Sequence, residues 1–413
     1  MVDTPKKDKD IAHLSRREFV EYSLKVGLIF ASMNTGTFIM DKAFAADKEF
    51  NAFGLGVSLQ ERIIKKFKED IGITVHPTLG ATQSAMMNRF IMGEYKTFST
   101  IEIVCTYGQP IVEKGVSQPI PLAKLTNWKP DTVHPIFYDD GGPYAKYIWT
   151  DLKNKSHLKH MPLAFNTDCF GYLPEKITEW GWDPLKATWA LLYDEKYAGR
   201  VAINDDPTLE INHVLTYLSY HGKIPKVKVP GDPTKEEIDQ AMDFLFPLKK
   251  RGQFRVIWDT YGQIVNLFAQ KEIWISYCWN PVVEDVKRLG TKILYGHPIE
   301  GGNYWYYGII VSKAAPDPEL AFKYADWWLS GWPGAQIATQ GYYSPVPQNV
   351  KKYLGEKEFG YWFEGKENPD RAPYNFREGG TLEQRFKRNA VFMIPWMKNY
   401  DYMMKVWRDF KAA

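Results

Sequence analysis

The chain of 413 residues has an ordinary globular composition, with 45% hydrophobic and 24% charged residues, which excludes a disordered or collagen-like protein. Its length predicts more than one domain. Lys and Arg number 52 against 49 Asp and Glu, too small a surplus for a nucleic-acid partner. Aromatic residues make up 15%, which suits either a large core or a site that binds cations on aromatic faces.

The N-terminal segment has the order of features of an export signal. Arg16-Arg17 precede a moderately apolar run, Val26–Met40, and a small-residue pattern, Ala43-Phe44-Ala45. This order is typical of secretory signal peptides, and the paired arginines indicate the twin-arginine type. We therefore expect residues 1–45 to be removed and the mature protein to be periplasmic. The alternative is a short amphipathic helix that begins with a capping box at Ser15.

The cysteines and histidines give no pattern of a metal site. Cys105, Cys169 and Cys278 contain no C-x-x-C spacing, so zinc fingers, iron–sulfur clusters and a disulfide scaffold are unsupported. Buried free thiols are expected, and whether two of the three are bridged stays open. His157 and His160 lack the His-Glu-x-x-His pattern of metalloproteases and are expected to be solvated. No metal and no cofactor are expected.

Alternating strands and helices at the start of the mature chain predict an α/β lobe. Strands are expected over Lys48–Phe53, Ile73–His76 and Ile101–Cys105. Ser58-Leu59-Gln60-Glu61 has the pattern of a capping box before a helix, and Ser84–Met92 is the next helix. Further elements are predicted at Arg200–Ile203, Ile211–Tyr220, Glu236–Lys249, Val256–Trp258, Ile273–Cys278, Tyr307–Val311, Phe322–Leu329 and Lys398–Phe410, with a long surface loop over Tyr361–Gly380.

The candidate ligand residues lie at strand ends and joints, where open α/β sheets bind ligands. Asp205 and Asp206 follow a strand and point to opposite faces, so only one carboxylate can enter a cleft. We expect this to be Asp206, with Asp205 capping the next segment. Seven aromatic residues occupy similar positions: Tyr107, Trp279, Trp305, Tyr306, Tyr307, Tyr342 and Tyr343. No nucleophile–base pair stands out, and Gly54-x-Gly56 lacks the third glycine of a dinucleotide site, so no enzymatic activity is expected.

Several motifs occur in a characteristic order along residues 48–350. They are Phe67-x-x-x-x-Gly72-Ile73-x-Val75, Ile101–Tyr107 with Gly115, Tyr197-Ala198-Gly199-Arg200 to Asp205-Asp206, Trp279-Asn280, Glu300-Gly301-Gly302 with Trp305, and Gly341-Tyr342-x-x-Pro345. In this order the chain resembles the periplasmic substrate-binding proteins of ABC importers, in particular the spermidine/putrescine-binding branch.

The resemblance implies a type II periplasmic binding protein fold with two α/β lobes that close by a hinge on a ligand in the cleft between them. We expect lobe 1 to comprise residues 46–164 and 303–343, and lobe 2 to comprise residues 165–302 and 344–413. The implied partners are a small amine-like ligand and the transmembrane permease subunits of an ABC importer, and a monomer is expected.

The resemblance also implies ligand-binding roles for matching residues. They are Asp206, Trp279, Trp305, Tyr107 and Tyr342. At two further ligand positions this chain departs from the family. Ser58 stands where polyamine binders carry a Tyr, and Tyr307 stands where they carry an Asp. One carboxylate of the family is therefore missing, which suits a ligand with a single cationic centre.

Our interpretation is a non-catalytic receptor for a small organic cation, a polyamine or related amine. One alternative is an amphoteric, amino-acid-like ligand bound by Ser58 and an arginine. Arg377 and Arg385, in a Gly-rich loop, are more simply expected to fix that loop by a salt bridge. A ferric-ion binder is a further alternative, because Tyr306-Tyr307 and Tyr342-Tyr343 are pairs of oxygen donors.

Overall fold

The computed structural model describes residues 48–138, 144–179, 183–371 and 379–413. The predicted signal peptide, with its arginine pair, and Arg377 lie outside these residues. Within them, none of the helices combines the length and the apolar character that crossing a bilayer requires.

The described strands are β1 (Glu49–Gly54), β2 (Thr74–Leu79), β3 (Thr100–Val104), β4 (Ser117–Gln118), β5 (Ile120–Pro121), β6 (His157–Leu158), β7 (Met161–Tyr172), β8 (Val201–Asn204), β9 (Phe254–Trp258), β10 (Ile275–Cys278), β11 (Leu294–Gly296), β12 (Gly302–Ser312) and β13 (Ala390–Phe392). Among the described residues, eleven strands share one sheet with the main order β2-β1-β3-β12-β7-β10-β8-β9. Strands β4 and β13 pair with β12, β11 pairs with β7, and β5 pairs with β6 separately.

The described α-helices are α1 (Glu61–Ile71), α2 (Gln83–Ile91), α3 (Cys105–Glu113), α4 (Pro135–Tyr138), α5 (Ala145–Ile148), α6 (Ala190–Tyr193), α7 (Pro207–Tyr220), α8 (Lys235–Lys250), α9 (Tyr261–Ala269), α10 (Asn280–Arg288), α11 (Pro318–Trp328), α12 (Trp332–Ala338), α13 (Pro347–Glu364), α14 (Leu382–Asn389) and α15 (Tyr400–Ala412). Helix α13 contains a non-helical residue, Gly355, at φ 75° and ψ 168°.

Two groups of buried side chains surround the first part of the sheet. Strands β1, β2 and β3 are parallel. Phe67 of α1 is buried against one face, and Phe90 of α2 against the other. Parallel strands covered on both faces have the near-continuous hydrophobic sequence that β3 shows. We call the part of the chain packed in these groups, mainly residues 50–165 and 306–386, the first lobe.

A third group of buried side chains surrounds the other end of the sheet. Strand β10 is parallel to β8, and β8 is parallel to β9. Trp258 and Tyr277 of these strands lie in the same group as Trp407 of the C-terminal helix α15. We call the part packed here, mainly residues 169–295 and 392–410, the second lobe.

Strands β7 and β12 connect the two lobes. All residues of β7 are buried. Its residues up to Asp168 pair with β12, whereas Cys169 and the residues after it pair with β10. Asp168 is thus the last residue of β7 that pairs with the returning strand, at the point where the chain passes from one lobe to the other.

The predicted lobe boundaries stay a prediction, but one segment packs differently from the expected division. The sequence predicts residues 344–413 in lobe 2. Val350, Trp362 and Phe386 lie instead in the core of the first lobe. Among the described residues after Phe386, the second-lobe core contains Phe392, Ile394, Met397, Met403, Trp407 and Phe410, whereas Met393 lies in the core of the first lobe.

The long surface loop expected over Tyr361–Gly380 is wrong in its first part. Tyr361, Trp362 and Phe363 belong to α13 and are buried. The aromatic side chains explain the difference, because burying them stabilises the helix against the first lobe. The helix ends at Gly365, whose φ of 63° is left-handed, as is common at helix C-termini.

Candidate ligand-binding cleft

Three predicted ligand residues follow strands and begin helices. Tyr107 lies in the first turn of α3, directly after β3. Asp206 is the N-cap of α7 after β8, and Trp279 is the N-cap of α10 after β10. Because β8 and β10 are parallel, Asp206 and Trp279 lie at the same edge of the sheet. Helix N-termini there carry free N–H groups and the positive end of the helix dipole.

Two further predicted residues lie on the crossing strand β12. Trp305 and Tyr307 are separated by one residue and therefore share a face of the strand. Trp305 pairs with Asn166 of β7. Tyr342, in the segment after α12, places its ring 6.0 Å from that of Trp305 in an edge-on contact. These aromatic residues therefore lie where the chain passes between the lobes.

Asp206 lies near phenol rings of both lobes. Its Oδ1 accepts hydrogen bonds from the Thr208 backbone N–H at 2.9 Å and from the Thr208 hydroxyl at 2.6 Å. Burial raises the pKa of Asp206. Burial, and then the charge of Asp206, raises the pKa of Tyr107 in the first lobe. Burial, and then Asp168 with a smaller contribution from Asp206, raises the pKa of Tyr277 in the second lobe.

The expectation that Asp205 caps the following segment is wrong, since the cap is Asp206. Oδ1 of Asp205 accepts a hydrogen bond from Nε1 of Trp407 at 2.7 Å, and Oδ2 pairs with Nζ of Lys411 at 2.6 Å. The two aspartates do have different surroundings. Helix α15, which is distant in sequence, covers Asp205 and leaves Asp206 at the helix start.

Trp279 belongs to an aromatic group of the second lobe. Its ring lies 5.3 Å from that of Trp258 and 6.4 Å from that of Tyr277, both in edge contacts. It is also parallel to the ring of Tyr261 at 6.5 Å. Trp279 itself is only partly buried. The surrounding rings therefore fix the orientation of an indole that keeps part of its surface accessible.

Ser58 and Tyr307 form a polar contact in the first lobe. The Tyr307 hydroxyl accepts a hydrogen bond from the Leu55 backbone N–H at 3.0 Å and lies 3.1 Å from Oγ of Ser58. The capping box predicted at Ser58 is wrong, because Gln60 is the N-cap of α1 and makes no side-chain cap. Ser58 is buried and turns toward Tyr307 instead.

A buried carboxyl group, Glu102, lies behind this contact. Burial raises its pKa to about 7, while the hydroxyls of Ser58 and Tyr324 favour the ionised form. Neither carboxylate oxygen completes a hydrogen bond with another described residue. Burial, and then the charge of Glu102, raises the pKa of Tyr307. The part of the first lobe around Ser58, Tyr307 and Glu102 is therefore polar, and it becomes anionic when Glu102 ionises.

Sequence reasoning missed a second buried carboxyl group, Asp168. Its Oδ2 accepts a hydrogen bond from the Tyr277 hydroxyl at 3.0 Å. Burial raises its pKa to about 7, although the Trp305 indole and the Asn303 amide face it and favour the ionised form. Oδ1 of Asp168 and Nε1 of Trp305 still complete no hydrogen bond within the described part of the chain. The available signal was a charged residue inside the apolar run Met161–Tyr172.

The structure brings the predicted residues together as a connected set. The charge of Asp206 raises the pKa of Tyr107 and of Tyr277. Tyr277 in turn contacts both Trp279 and Asp168. Tyr342 contacts Trp305 and lies near enough to Tyr307 to influence its pKa. The joint roles of these residues in binding remain a prediction.

Sequence reasoning missed Trp396, which lies beside Tyr107. The two rings are 6.2 Å apart, and Trp396 stacks on Tyr400 at 5.0 Å. The Thr106 hydroxyl donates to the backbone oxygen of Ile394 at 2.5 Å. The C-terminal segment therefore contacts the start of α3 in the first lobe, while Ile394 packs in the second.

The tyrosine pairs considered for iron do not act as pairs. The Tyr306 hydroxyl lies 3.2 Å from Nδ1 of His160, whereas that of Tyr307 contacts Ser58. Similarly, the Tyr343 hydroxyl accepts from Arg385 at 2.8 Å, and Tyr342 packs against Trp305.

The expectation of a solvated His160 is wrong as well. The side chain is buried, and its contact with Tyr306 explains why the core tolerates it. Burial lowers the pKa of His160 to about 4. All three cysteines are free and buried.

Arg385 is buried on helix α14 and not in a loop, contrary to expectation. Besides Tyr343, its guanidinium donates to Oδ1 of Asn166 at 3.4 Å and lies 5.8 Å from the ring centre of Tyr295. Among the described residues it forms no salt bridge. It fixes α14 against the crossing strand β7 by hydrogen bonds and ring contacts, and its Nε completes no hydrogen bond there.

Comparisons with known proteins agree with this architecture. A family model described as bacterial extracellular solute-binding protein matches residues 62–359. The putrescine/cadaverine-binding protein of Pseudomonas aeruginosa is 20% identical over 329 residues, which cover 77% of this chain and 83% of the relative.

Solved structures share the fold. That of a putative spermidine/putrescine ABC transporter from Listeria monocytogenes has a TM-score of 0.66 at 17% identity, covering 88% of this chain and 99% of the other. That of a binding protein of A. tumefaciens R10 in complex with agropinic acid has a TM-score of 0.58 at 17% identity, covering 89% and 99%. The expected two-lobed periplasmic binding protein fold is confirmed, and the chain belongs to the bacterial extracellular solute-binding protein family.

Proposed function

We propose that this chain is the exported, non-catalytic ligand receptor of an ABC importer and that its ligand is a small organic cation. The observation that carries the proposal is the position of Asp206, a carboxylate at a helix start near Tyr107 of one lobe and Tyr277 of the other. Trp279 packs beside Tyr277 with part of its ring accessible. A carboxylate among aromatic rings stabilises a desolvated ammonium group by charge and by cation–π attraction.

The relatives support this ligand class. One is described as a putrescine/cadaverine-binding protein and another as a putative spermidine/putrescine ABC transporter. In our proposal the lobes close on the amine by a hinge at β7 and β12, and the closed monomer transfers it to the permease.

A titration with putrescine tests the ligand class. Asp206→Asn keeps an oxygen acceptor for the helix start but removes the charge, so affinity should fall by about 2–5 kcal/mol. Calorimetry with the purified protein measures this loss. Asp205→Asn is the matched control, since Asp205 is paired with Trp407 and Lys411 and should affect affinity much less.

Equal affinity of Asp206→Asn and the parent for putrescine would contradict the cationic ligand. A larger loss in Asp205→Asn would show that the wrong aspartate has been assigned to the cleft.

A second candidate ligand is amino-acid-like. Arg385 has an Nε that completes no hydrogen bond with a described residue, and a structural relative is in complex with agropinic acid. Binding of agropinic acid, but not of putrescine, in the same titration would favour this candidate.

We also propose export by the twin-arginine route, on the basis of Arg16-Arg17 and the apolar run after them. Replacing both arginines with lysine should leave the precursor in the cytoplasm, as measured by fractionation and immunoblotting. Replacing Lys6 and Lys7 with arginine is the control and should leave export unchanged. Undiminished export of the double-lysine variant would refute the twin-arginine assignment.

A further inference from the structure

We infer that Asp168 is a second ligand-binding carboxylate, placed on the crossing strand, and that the ligand carries two cationic groups. The inference rests on the proposed cationic ligand and specifies its charge. The two groups would contact Asp206 at the start of α7 and Asp168 at the joint of the lobes.

The carboxyl group of Asp168 is only partly satisfied. The residue is 2% exposed. Oδ2 accepts from Tyr277 at 3.0 Å, but Oδ1 completes no hydrogen bond with any described residue. Buried polar atoms in proteins are nearly always hydrogen-bonded, and an unmatched one calls for an explanation, of which a ligand contact is one.

The described residues around Asp168 do not neutralise it. Tyr277 of β10 and Trp305 and Asn303 of β12 are uncharged neighbours. Arg385 of α14 is the cationic group that acts on it, yet the guanidinium donates to Tyr343 and Asn166 and forms no ion pair with Asp168 within the described residues. An ionised carboxylate buried without a partner is costly, and a ligand ammonium group would remove that cost.

The place of Asp168 in the fold also suits a ligand contact. It pairs with Asn303 of β12, and the next residue pairs with β10 of the second lobe. It therefore lies at the point where the pairing of β7 changes from β12 to a strand of the second lobe. Tyr277 lies near enough to both Asp168 and Asp206 for each carboxylate to act on it. The two carboxylates are therefore both neighbours of one phenol group.

Two amines with the same carbon chain test the inference. Putrescine (1,4-diaminobutane) has two ammonium groups and butylamine has one. The parent should bind putrescine more tightly than butylamine. Asp168→Asn keeps the acceptor for Tyr277 and should weaken putrescine binding about thirtyfold while changing butylamine binding less than about threefold. Glu210→Gln is the matched control, because Glu210 is also buried but accepts a hydrogen bond from the Asn204 backbone.

Proton release provides a second measurement. Because burial raises the pKa of Asp168 to about 7, binding of a cation at pH 6.5 should release a proton from it. Calorimetry in two buffers with different heats of ionisation measures this release, which should disappear in Asp168→Asn. Thermal unfolding of the ligand-free variant checks that it folds.

The outcomes separate this inference from the proposed function. If the parent binds amines but Asp168→Asn keeps the preference for putrescine and the proton release, the role of Asp168 is refuted. A parent that binds neither amine contradicts the cationic ligand itself, and the role of Asp168 is then refuted with it.

Discussion

Trp305 makes a ring contact with Tyr342 and also turns its indole N–H toward Asp168. Its ring packs edge-on against Tyr342 at 6.0 Å, and its indole N–H faces Asp168 without completing a hydrogen bond. The ring is only partly buried. An indole face attracts cations more strongly than other aromatic rings do. Trp305 therefore keeps part of its surface exposed close to a carboxylate, where our proposal places an ammonium group.

We predict that Trp305→Ala weakens binding of putrescine by about 2 kcal/mol, the size expected for a desolvated cation–π contact. Calorimetry at constant pH measures the change. Trp274→Ala is the control, since Trp274 is a partly buried indole that already faces Lys176 and Arg200 at 5.4 and 5.2 Å. An unchanged affinity in Trp305→Ala would exclude this ring from the site.

At the scale of elements, strands β7 and β12 approach each other more closely than a side chain at Gly302 would allow. A Cβ atom at Gly302 would lie 2.4 Å from the backbone oxygen of Asp168. Gly302 is the first residue of β12, and its neighbour Asn303 pairs with Asp168. Glycine therefore permits the close approach of β12 to β7 at the joint of the lobes.

We predict that Gly302→Ala destabilises the protein by about 1–3 kcal/mol, as overpacking does, because the opposing atom is backbone and cannot rotate away. Denaturant unfolding measures the loss. Gly262→Ala in helix α9 has no atom within 4 Å of the new Cβ and should be neutral or slightly stabilising. Equal stabilities of the two variants would mean that β12 can shift without cost.

Elements with strong local patterns could be predicted from the sequence. Helix α8 has an amphipathic pattern and a capping box at Thr234, and its observed bounds are within one residue of the prediction at each end. The crossing role of β7 could not be found from residue pattern alone, because a continuous apolar run does not show where its partners change. Helix α13 was missed because Gly355 and polar residues interrupt its pattern.

The residues of the candidate cleft could likewise be predicted where they follow a strand, but not where they depend on contacts between distant segments. Asp206 and Trp279 could be proposed because strand ends have a recognisable sequence context. Trp396 could not, since its contact with Tyr107 depends on how a segment far along the chain packs. Which of two adjacent aspartates caps α7 depended in the same way on the packing of α15 over Asp205.

For the molecule as a whole, buried titratable groups couple stability to pH. Burial raises the pKa of Glu102 and Asp168 to about 7 and that of Glu210 to about 8. Burial lowers the pKa of His160 to about 4 and of His213 to about 3. The contribution of the carboxyl groups to stability is fully present below their unfolded pKa values and is lost as pH rises through 7 to 8. The contribution of the histidines to stability is instead lost as pH falls below 6.5.

We predict that the melting temperature of the ligand-free protein falls as pH rises from 6.5 to 8.5, because the buried carboxyl groups lose their contribution across that range while the histidines gain little above pH 6.5. Differential scanning calorimetry across this range measures the slope. Glu102→Gln and Glu210→Gln should each flatten it, and Glu61→Gln, at an exposed position of α1, should not. A rising melting temperature would show that these carboxyl groups are ionised throughout.

The interleaving of the two lobes along the chain affects how the protein can fold during synthesis. The core of the second lobe contains Trp407 and Phe410, which follow every residue of the first-lobe core in the sequence. The core of the first lobe needs residues up to Met393. A ribosome that has made only the N-terminal half has therefore produced neither core in full. The core of neither lobe can be complete before synthesis has passed Met393 and Phe410, and the folded-state export that we propose would follow that step.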